Sequence, residues 1–155
     1  MSAPLLPNAE LVAKTWLLAA VGGLDNNVAT TLPDPPWPND EFIQIMQVGG
    51  SPNMYVPQFS PVVTLNCFAM KKNSTKPPWN KASGLGMRAI MACYEVRYAP
   101  DTAVELDLPV NYGRAIVQSV YPVSELRRLP SDPSQYAVYN VDLHFVWVPA
   151  SVVIA

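Results

Sequence analysis

Charged side chains are scarce in this sequence. Asp, Glu, Lys and Arg make up only 14% of the 155 residues, whereas about 25% is usual in a soluble globular domain. Ten basic and twelve acidic residues leave a net charge of −2, and no segment collects Lys and Arg densely. Electrostatic binding of nucleic acid is therefore not expected. Because exposed surface normally carries many charges, the shortage indicates either that partner proteins cover part of the surface or that the chain is a compact monomer with a neutral polar surface.

Long apolar runs are absent as well. Runs such as residues 16–21 are far shorter than the roughly 20 residues of a membrane helix. The first residues lack the basic and apolar regions of a signal peptide. We therefore expect no membrane contact and synthesis in a cytoplasm.

The sequence contains one histidine and two cysteines. Cys67 and Cys93 stand in apolar segments, which predicts buried free thiols, and their separation fits no zinc motif. Asp142 and His144 share one face of a predicted strand, where a carboxylate can orient an imidazole base, but no Gly-x-Ser-x-Gly segment accompanies them. We predict no catalytic residue, no metal site and no cofactor. A small hydrolase that uses Asp142 and His144 is kept as an alternative.

A second possible site lies in the proline-rich segment around Trp37. Asp34, Asp40 and Glu41 are close together in the sequence, and paired carboxylates can hydrolyse glycosides. A solvated loop accounts for the same three residues. Trp37 together with Tyr55 also allows a carbohydrate-binding module as a further alternative.

Proline, by contrast, is abundant. The 17 prolines fall in clusters, which mark connections between elements because proline lacks a backbone donor. Between the clusters, apolar periodicity predicts helices at residues 9–20 and 79–98, and strands at residues 28–32, 42–48, 62–70, 104–108, 114–121 and 135–148. We therefore predict one domain, residues 1–155, of the α+β class: a mainly antiparallel β-sheet with two packed helices.

Glycine and asparagine set the ends of these elements. Asn8 is expected to cap the first helix, and the glycines at 22 and 23 to end it. The glycines at 49 and 50 are expected to end the strand 42–48 in a hairpin turn. Small residues dominate one face of the second helix, and close packing on the sheet is the expected reason for Gly84 and Gly86.

Three segments are candidate interfaces. The lysines between residues 71 and 81 form the only basic cluster, and prolines with an aromatic beside flexible positive charges suit contact with an acidic partner. A solvated loop with a core tryptophan accounts for the same residues. The connection 50–61 carries apolar side chains, and the segment 125–130 combines arginines with apolar anchors. The candidate interface residues are Tyr55, Phe59, Lys71, Lys72, Lys76, Pro77, Pro78, Trp79, Arg127 and Arg128.

The order of several short motifs resembles that of a known family. A Leu-Val-x-x-x-Trp-Leu helix is followed by a Thr-x-Leu-Pro strand end, a Phe-Ile strand with Val-Gly-Gly, a Pro-Val-Val strand and a Lys-Pro-Pro-Trp helix start. The residues that carry these motifs are Leu11, Val12, Trp16, Leu17, Thr30, Leu32, Pro33, Phe42, Ile43, Val48, Gly49, Gly50, Pro61, Val62, Val63, Lys76, Pro77, Pro78 and Trp79. Over residues 11–148 the chain resembles the tail-terminator proteins of long-tailed bacteriophages, particularly those of actinobacteria.

The resemblance implies a structural virion protein and not an enzyme. Such proteins form a six-membered ring on the head-proximal end of the tail tube. One ring face stops further addition of tube protein, and the other is a docking surface for the head-closure or connector protein. DNA passes through the lumen without sequence-specific binding. The expected partners are therefore other copies of the chain, the tube protein and the connector, and the expected location is the head–tail interface of the virion after synthesis in the host bacterial cytoplasm.

Another head–tail joining protein or a tail-tube subunit is the alternative from the same class. A tube subunit would form long polymers, whereas a terminator stops at a closed ring. The family has no reactive residues to carry over onto this sequence.

Overall fold

The computed structural model shows a mainly antiparallel sheet with two helices on one face. It describes residues 6–24, 26–71, 77–95, 104–109, 112–129 and 136–149. The predicted α+β class is confirmed. The elements in chain order are α1 (Ala9–Ala20), β1 (Val28–Ala29), a 3-10 turn (Pro38–Asp40), β2 (Glu41–Gly50), β3 (Pro61–Met70), α2 (Trp79–Ala92), β4 (Val104–Leu106), β5 (Ala115–Pro122), β6 (Arg127–Arg128) and β7 (Tyr136–Pro149).

The longest strand, β7, lies in the interior of the sheet. The strand order is β1-β2-β3-β7-β5-β4, and β6 pairs with β7 beyond the end of β5. β3 pairs antiparallel with β7 from Val62 opposite His144 to Met70 opposite Tyr136. β1 is the one parallel neighbour among the described strands, and it pairs with β2 at two positions only.

Alternation along β7 separates the two faces of the sheet, as the sequence predicts. Val141, Leu143 and Phe145 are buried under the helices, while Asp142 and His144 lie half-buried on the opposite face. The edge of the Phe145 ring meets the α1 residue Trp16 at a centroid distance of 5.7 Å. Such pairs contribute about 0.5–1.5 kcal/mol beyond the burial of their area.

The start and end of α1 follow the sequence prediction. The Asn8 side chain accepts a hydrogen bond from the backbone N–H of Leu11 at 2.8 Å, as an N-cap residue does. After Ala20 the chain leaves the helix, and Gly23 adopts a φ of 78°, which glycine tolerates without a steric penalty. The helix packs on β1, β2 and β3 through one face, which includes Val12, Trp16 and Leu17.

The second helix is shorter than predicted. α2 ends at Ala92, residues 93–95 form a turn, and residues 96–98 of the predicted helix lie outside the described part of the chain. The two glycines also differ from expectation. A β-carbon on Gly86 would lie 2.5 Å from Cδ1 of Leu126, a residue between β5 and β6, whereas nothing lies within 4 Å of such an atom on Gly84. Close packing therefore accounts for Gly86 alone, and its neighbour is a loop residue and not the sheet.

The prediction that a hairpin turn ends β2 at its glycines was wrong. β2 continues through Gly49 and Gly50, which pair with Val62 and Pro61. A register shift between Gln47 and Gly49 leaves Val48 as a bulge, and bulges let a strand bend and continue. Residues 51–60 then form the long connection to β3 that the sequence predicts.

The proline-rich segment covers one end of the sheet face opposite the helices. Trp37 is only 4% exposed and packs with Phe42, Met70 and Tyr136 in a second apolar cluster. Its indole N–H donates to the carbonyl of Pro33 at 2.9 Å. The buried tryptophan is therefore a structural residue of this face, and it has no free ring face for a carbohydrate.

Candidate interaction surfaces

The connection between β2 and β3 is exposed and belongs to an uncharged segment. Residues 42–70 contain no Asp, Glu, Lys, Arg or His, and they include most of β2, the connection and all of β3. We call the connection, residues 51–60, the arm, and its residues 51–58 the arm tip. Asn53 holds the tip in shape, because its side chain accepts hydrogen bonds from the backbone N–H groups of Tyr55 and Val56 at 2.8 and 3.3 Å.

The arm tip exposes large apolar side chains to solvent. Met54 and Tyr55 are 85% and 87% exposed, and Val56 beside them is about half exposed. Met46 and Val48 on β2 are also about half exposed. Exposed large apolar side chains grouped as at the tip mark an interaction site. The structure thus places the predicted interface residue Tyr55 at the most exposed point of an apolar surface.

Phe59, the second predicted residue in this connection, anchors the arm. Its ring stacks on Trp147 with centroids 4.7 Å apart, and the two residues exchange backbone hydrogen bonds of 2.9 and 3.0 Å. Gln58 beside it donates to the Gln118 side chain at 2.6 Å. These contacts fix the base of the arm, so Phe59 supports the projecting tip and is itself half-buried.

The edge of β2 is open next to the arm. β1 pairs with β2 only at Ile43 and Gln44, so in the described ranges residues 45–50 have no strand neighbour on that side. Exposed edges in natural proteins usually carry charges or prolines that prevent pairing with other chains. This stretch of β2 carries no charged residue, although the bulge at Val48 interrupts it, and its lack of charge suits it to contact with another protein.

The predicted basic segment lies at the start of α2. Lys71, Pro77, Pro78 and Trp79 line a cavity of about 650 Å³ together with Lys81. Lys71 is exposed, and the Lys81 ammonium donates to the Asn39 carbonyl. Lys72 and Lys76 lie outside the described residues. The described lysines thus border one concave surface.

Both predicted arginines of β6 contact other side chains of the chain. The Arg128 guanidinium lies over the Trp79 ring, 3.8 Å from its centroid, and this cation–π contact joins β6 to the start of α2. Arg127 donates to Asn140 at 3.0 Å and to Asp142 at 3.3 Å on the opposite face of the sheet. The fold therefore brings Arg128 to the predicted basic segment and places Arg127 on the opposite face of the sheet.

A second candidate surface, of mixed polar and apolar lining, lies where the end of α2 meets the end of β5. Ile90, Tyr94, Pro122 and Val123 line a cleft of about 390 Å³, with Ser124 and Glu125 at the same site. We call it the α2–β5 cleft. Tyr94 is 64% exposed, and Met87 and Met91 are exposed on the same helix. Sequence reasoning missed this surface because its walls are far apart in the chain, although apolar residues on the exposed side of a helix are a usable signal.

The geometry around His144 gives little support to the hydrolase alternative. The Asp142 carboxylate accepts hydrogen bonds from the Thr64 hydroxyl at 2.6 Å and from Arg127. The His144 ring packs against Tyr121 with centroids 4.8 Å apart, and its buried Nδ1 atom has no hydrogen-bond partner among the described residues. The Ser124 hydroxyl accepts from the Asp142 backbone N–H at 2.9 Å. These contacts give Asp142 structural partners and join no nucleophile to the imidazole.

The remaining candidate groups are engaged or isolated in the structure. Glu41 is buried and paired with Arg88 at 3.2 Å, which leaves Asp34 and Asp40 without the third acidic residue of the predicted cluster. Cys67 and Cys93 are buried free thiols, as predicted. In the described ranges no three His, Cys, Asp or Glu side chains are grouped so that they could hold a metal ion.

None of the helices in the described ranges is long and apolar enough to span a membrane. No known family model matches the sequence, and a search of curated proteins finds no significant relative.

Proposed function

We propose that this protein is a structural component of a phage virion: a tail terminator that forms a ring on the head-proximal end of the tail tube. The observation that carries the proposal is the uncharged arm, whose tip exposes Met54 and Tyr55 to solvent. A surface of this kind favours burial against protein. It fits a protein that acts through contacts with its neighbours, as the motif resemblance implies.

Ring formation needs two different surfaces on every subunit, because each subunit contacts one neighbour through each of them. The arm tip, which is apolar, and the α2–β5 cleft, which has a mixed lining, are two separate surfaces of this chain. The cavity at the start of α2 is a third surface, lined by Lys71 and Lys81 and also by Asp40, and its lysines suit an acidic patch on the tube protein or on the connector. The small net negative charge of −2 suits a lumen through which DNA slides without binding.

The first test is the mass and shape of the purified protein, measured by light scattering and by negative-stain imaging with and without added siphophage tail tubes. Closed rings, alone or on tube ends, are the expected result. A monomer that leaves tube ends bare would overturn the proposal. A variant in which Met54 and Tyr55 are both alanine is expected to lose ring formation and tube capping while it stays folded, since neither side chain is buried.

A tail-tube or other head–tail joining subunit is the second candidate. The uncharged edge of β2 favours it, because an edge without a strand neighbour permits continuous addition of subunits. Images of the same preparation separate the two readings: long tubes indicate a tube subunit, whereas closed rings indicate a terminator.

A further inference from the structure

We propose that the edge of β2 beyond β1 binds an extended, uncharged segment of a partner protein as an added strand. A large apolar side chain of that segment occupies the cavity between the start of α1 and the base of the arm. The partner is defined by its chemistry: a free peptide backbone, no charge and an apolar anchor. The site goes beyond the proposed ring, because strand addition here needs no other copy of the chain.

The backbone at this edge is free to pair with another strand. The Ile43 N–H donates to the carbonyl of Asn27 at 2.8 Å, so it points away from β3. Because backbone groups alternate in direction along a strand, the N–H and C=O of Gln47 point the same way. β1 ends at Ala29, and no strand in the described ranges lies beside Gln47. Residues 46–50 are all exposed, so a partner can reach this edge.

A mainly apolar cavity lies directly beside the same edge. Gln47 and Gly50 line it together with residues from the start of α1, the arm and β7. Its volume is about 250 Å³, and its walls include Leu6, Phe59 and Trp147. We call it the edge cavity. Because Gln47 belongs both to the edge and to the cavity wall, one bound segment can contact both.

The pleat of the sheet directs one side chain of an added strand toward the edge cavity. Ile43 and Ile45 face the helices, and by alternation Gln47 faces that side as well. Opposing residues of paired strands have their side chains on the same face of the sheet. The residue that lies opposite Gln47 therefore directs its side chain to the helix side, where the start of α1 lines the cavity. Strand addition of this type gains affinity from backbone hydrogen bonds and specificity from pockets for alternate side chains.

The absence of charge determines which segments this site accepts. Residues 42–70 carry no charged side chain, and the residues that line the edge cavity include none. A charged side chain in the cavity would lose its hydration without gaining an ion partner, which is costly. An aliphatic side chain gains from the removal of its apolar surface from water. The matching segment is therefore uncharged and carries a residue such as leucine.

Trp147 provides a second feature of the cavity wall. It is only 2% exposed, and its indole N–H has no hydrogen-bond partner among the described residues. Buried tryptophan N–H groups usually have a partner, so this wall lacks an acceptor. A backbone carbonyl of an inserted segment is an acceptor of the required kind.

The bulge at Val48 limits the length of the added strand. It interrupts β2 between Gln47 and Gly49, so regular backbone pairing ends close to Gln47. Few hydrogen bonds form as a result, and each adds little net free energy because water already binds the exposed edge. Measurable binding therefore needs both the backbone pairing and the apolar anchor.

Titration of the isotope-labelled protein with a synthetic peptide, followed by amide NMR spectra, tests the site. The probe is a short peptide of alternating threonine and leucine with blocked ends, which is uncharged and favours an extended backbone. A dissociation constant of about 1 mM or lower is expected, with the largest signal changes at the Gln47 amide and the Trp147 indole N–H. An analogue with ester links in place of its amides lacks the backbone donors, and one with alanine for leucine lacks the anchor. Each should bind about tenfold more weakly.

Variants of the protein test the two halves of the site separately. Gln47→Pro removes the outward N–H, which an edge strand tolerates, and should weaken binding about tenfold. Gln47→Ala keeps this N–H and is the matched control, with an expected change of less than about twofold. Leu6→Asp places a carboxylate at the cavity wall and should also weaken binding about tenfold. Met91→Asp is its control, because Leu6 and Met91 are both 56% exposed.

Three results would overturn the proposal. The first is no binding of the leucine peptide, and the second is equal binding of its ester analogue, which would show that side chains bind without strand pairing. The third is a dimer of the protein that Gln47→Pro dissociates, because a second copy would then occupy the edge. Ring formation is a separate measurement. Rings on tube ends without peptide binding would keep the terminator, and peptide binding in a protein that forms no rings would keep the site.

Discussion

Arg88 of α2 pairs with Glu41 at the start of β2, and the same side chain also contacts the end of α1. The Arg88 Nη1 atom lies 3.2 Å from Oε1 of the Glu41 carboxylate, which is buried. The Nη2 atom of the same guanidinium donates to the Gly22 carbonyl at 2.7 Å, just beyond the end of α1. One side chain of α2 thus satisfies a buried charge in the sheet and a carbonyl group near the end of another helix.

Replacing Arg88 by methionine is expected to lower the free energy of unfolding by about 2–3 kcal/mol, because the Glu41 charge would stay buried without its partner. The estimate is at the low end for broken ion pairs because the Arg88 side chain is 41% exposed. Urea denaturation measures the change. The double variant Arg88→Met with Glu41→Gln should recover part of the loss, and a double variant less stable than Arg88→Met would contradict this account.

Gly50→Ala is expected to destabilise the protein by about 2–4 kcal/mol. Gly50 has a φ of 113°, and a β-carbon there would lie 2.3 Å from the Ser60 carbonyl oxygen, so the backbone at the base of the arm would have to move. Gly49→Ala is the matched control, because nothing lies within 4 Å of its added β-carbon, and its effect should stay within about 0.5 kcal/mol. Equal thermal unfolding midpoints for the two variants would be inconsistent with the geometry.

Opposite effects are expected for alanine at the two glycines of α2. Gly86→Ala should cost about 1–2 kcal/mol because the added methyl group meets Leu126. Gly84→Ala should stabilise by up to about 1 kcal/mol, since the position is helical and free of neighbours. Leu126→Ala removes the side chain that the added methyl group meets. Gly86→Ala should therefore cost less in the Leu126→Ala variant than in the natural sequence. Chemical denaturation of the four variants decides the question.

Stability should fall as the pH rises above 9.0, the ordinary thiol value. Burial raises the pKa of the Cys67 thiol and of the Cys93 thiol to about 12. Between these two pH values the unfolded chain loses thiol protons that the folded chain retains. Each buried thiol therefore lowers the unfolding free energy by about 1.4 kcal/mol per pH unit in this window and has no such effect below it.

The variant with alanine at both cysteines isolates this thiol contribution from that of tyrosine and lysine. Its unfolding free energy should decline less steeply between pH 9.0 and about 12 than that of the natural sequence. Parallel pH profiles for the two proteins would show that the thiols do not cause the decline.

The elements that sequence could predict are those whose signals are local. The alternation along β7 and the Asn8 cap of α1 depend on residues that are neighbours in the chain, and both predictions were correct. β6 was missed because Arg127 and Arg128 have no strand pattern of their own. They form a strand only because β7 extends past the end of β5 and offers an unpaired edge.

The same distinction applies to the candidate surfaces. The exposed position of Tyr55 was predictable, because it stands in a long connection without charges and between prolines. The absence of charge from residues 42–70 was an additional signal available in the sequence. The α2–β5 cleft was not predictable, since Tyr94 and Val123 come together only after the helix packs on the sheet. The half-buried state of Phe59 likewise depends on Trp147, a residue of a distant strand.

The interior position of β7 determines when the sheet can close during synthesis. β3 and β5 both pair with this strand, yet its residues 136–149 leave the ribosome after every other described strand. A ribosome adds about 5–20 residues per second, so the apolar hairpin of β2 and β3 waits several seconds for its central neighbour. During that time its strands, which carry no charge from residue 42 onward, are open to pairing with nascent chains nearby. When several ribosomes translate one mRNA, their nascent chains lie close together and risk an aggregation that the finished fold does not have. A chaperone bound to residues 42–70 would reduce this risk.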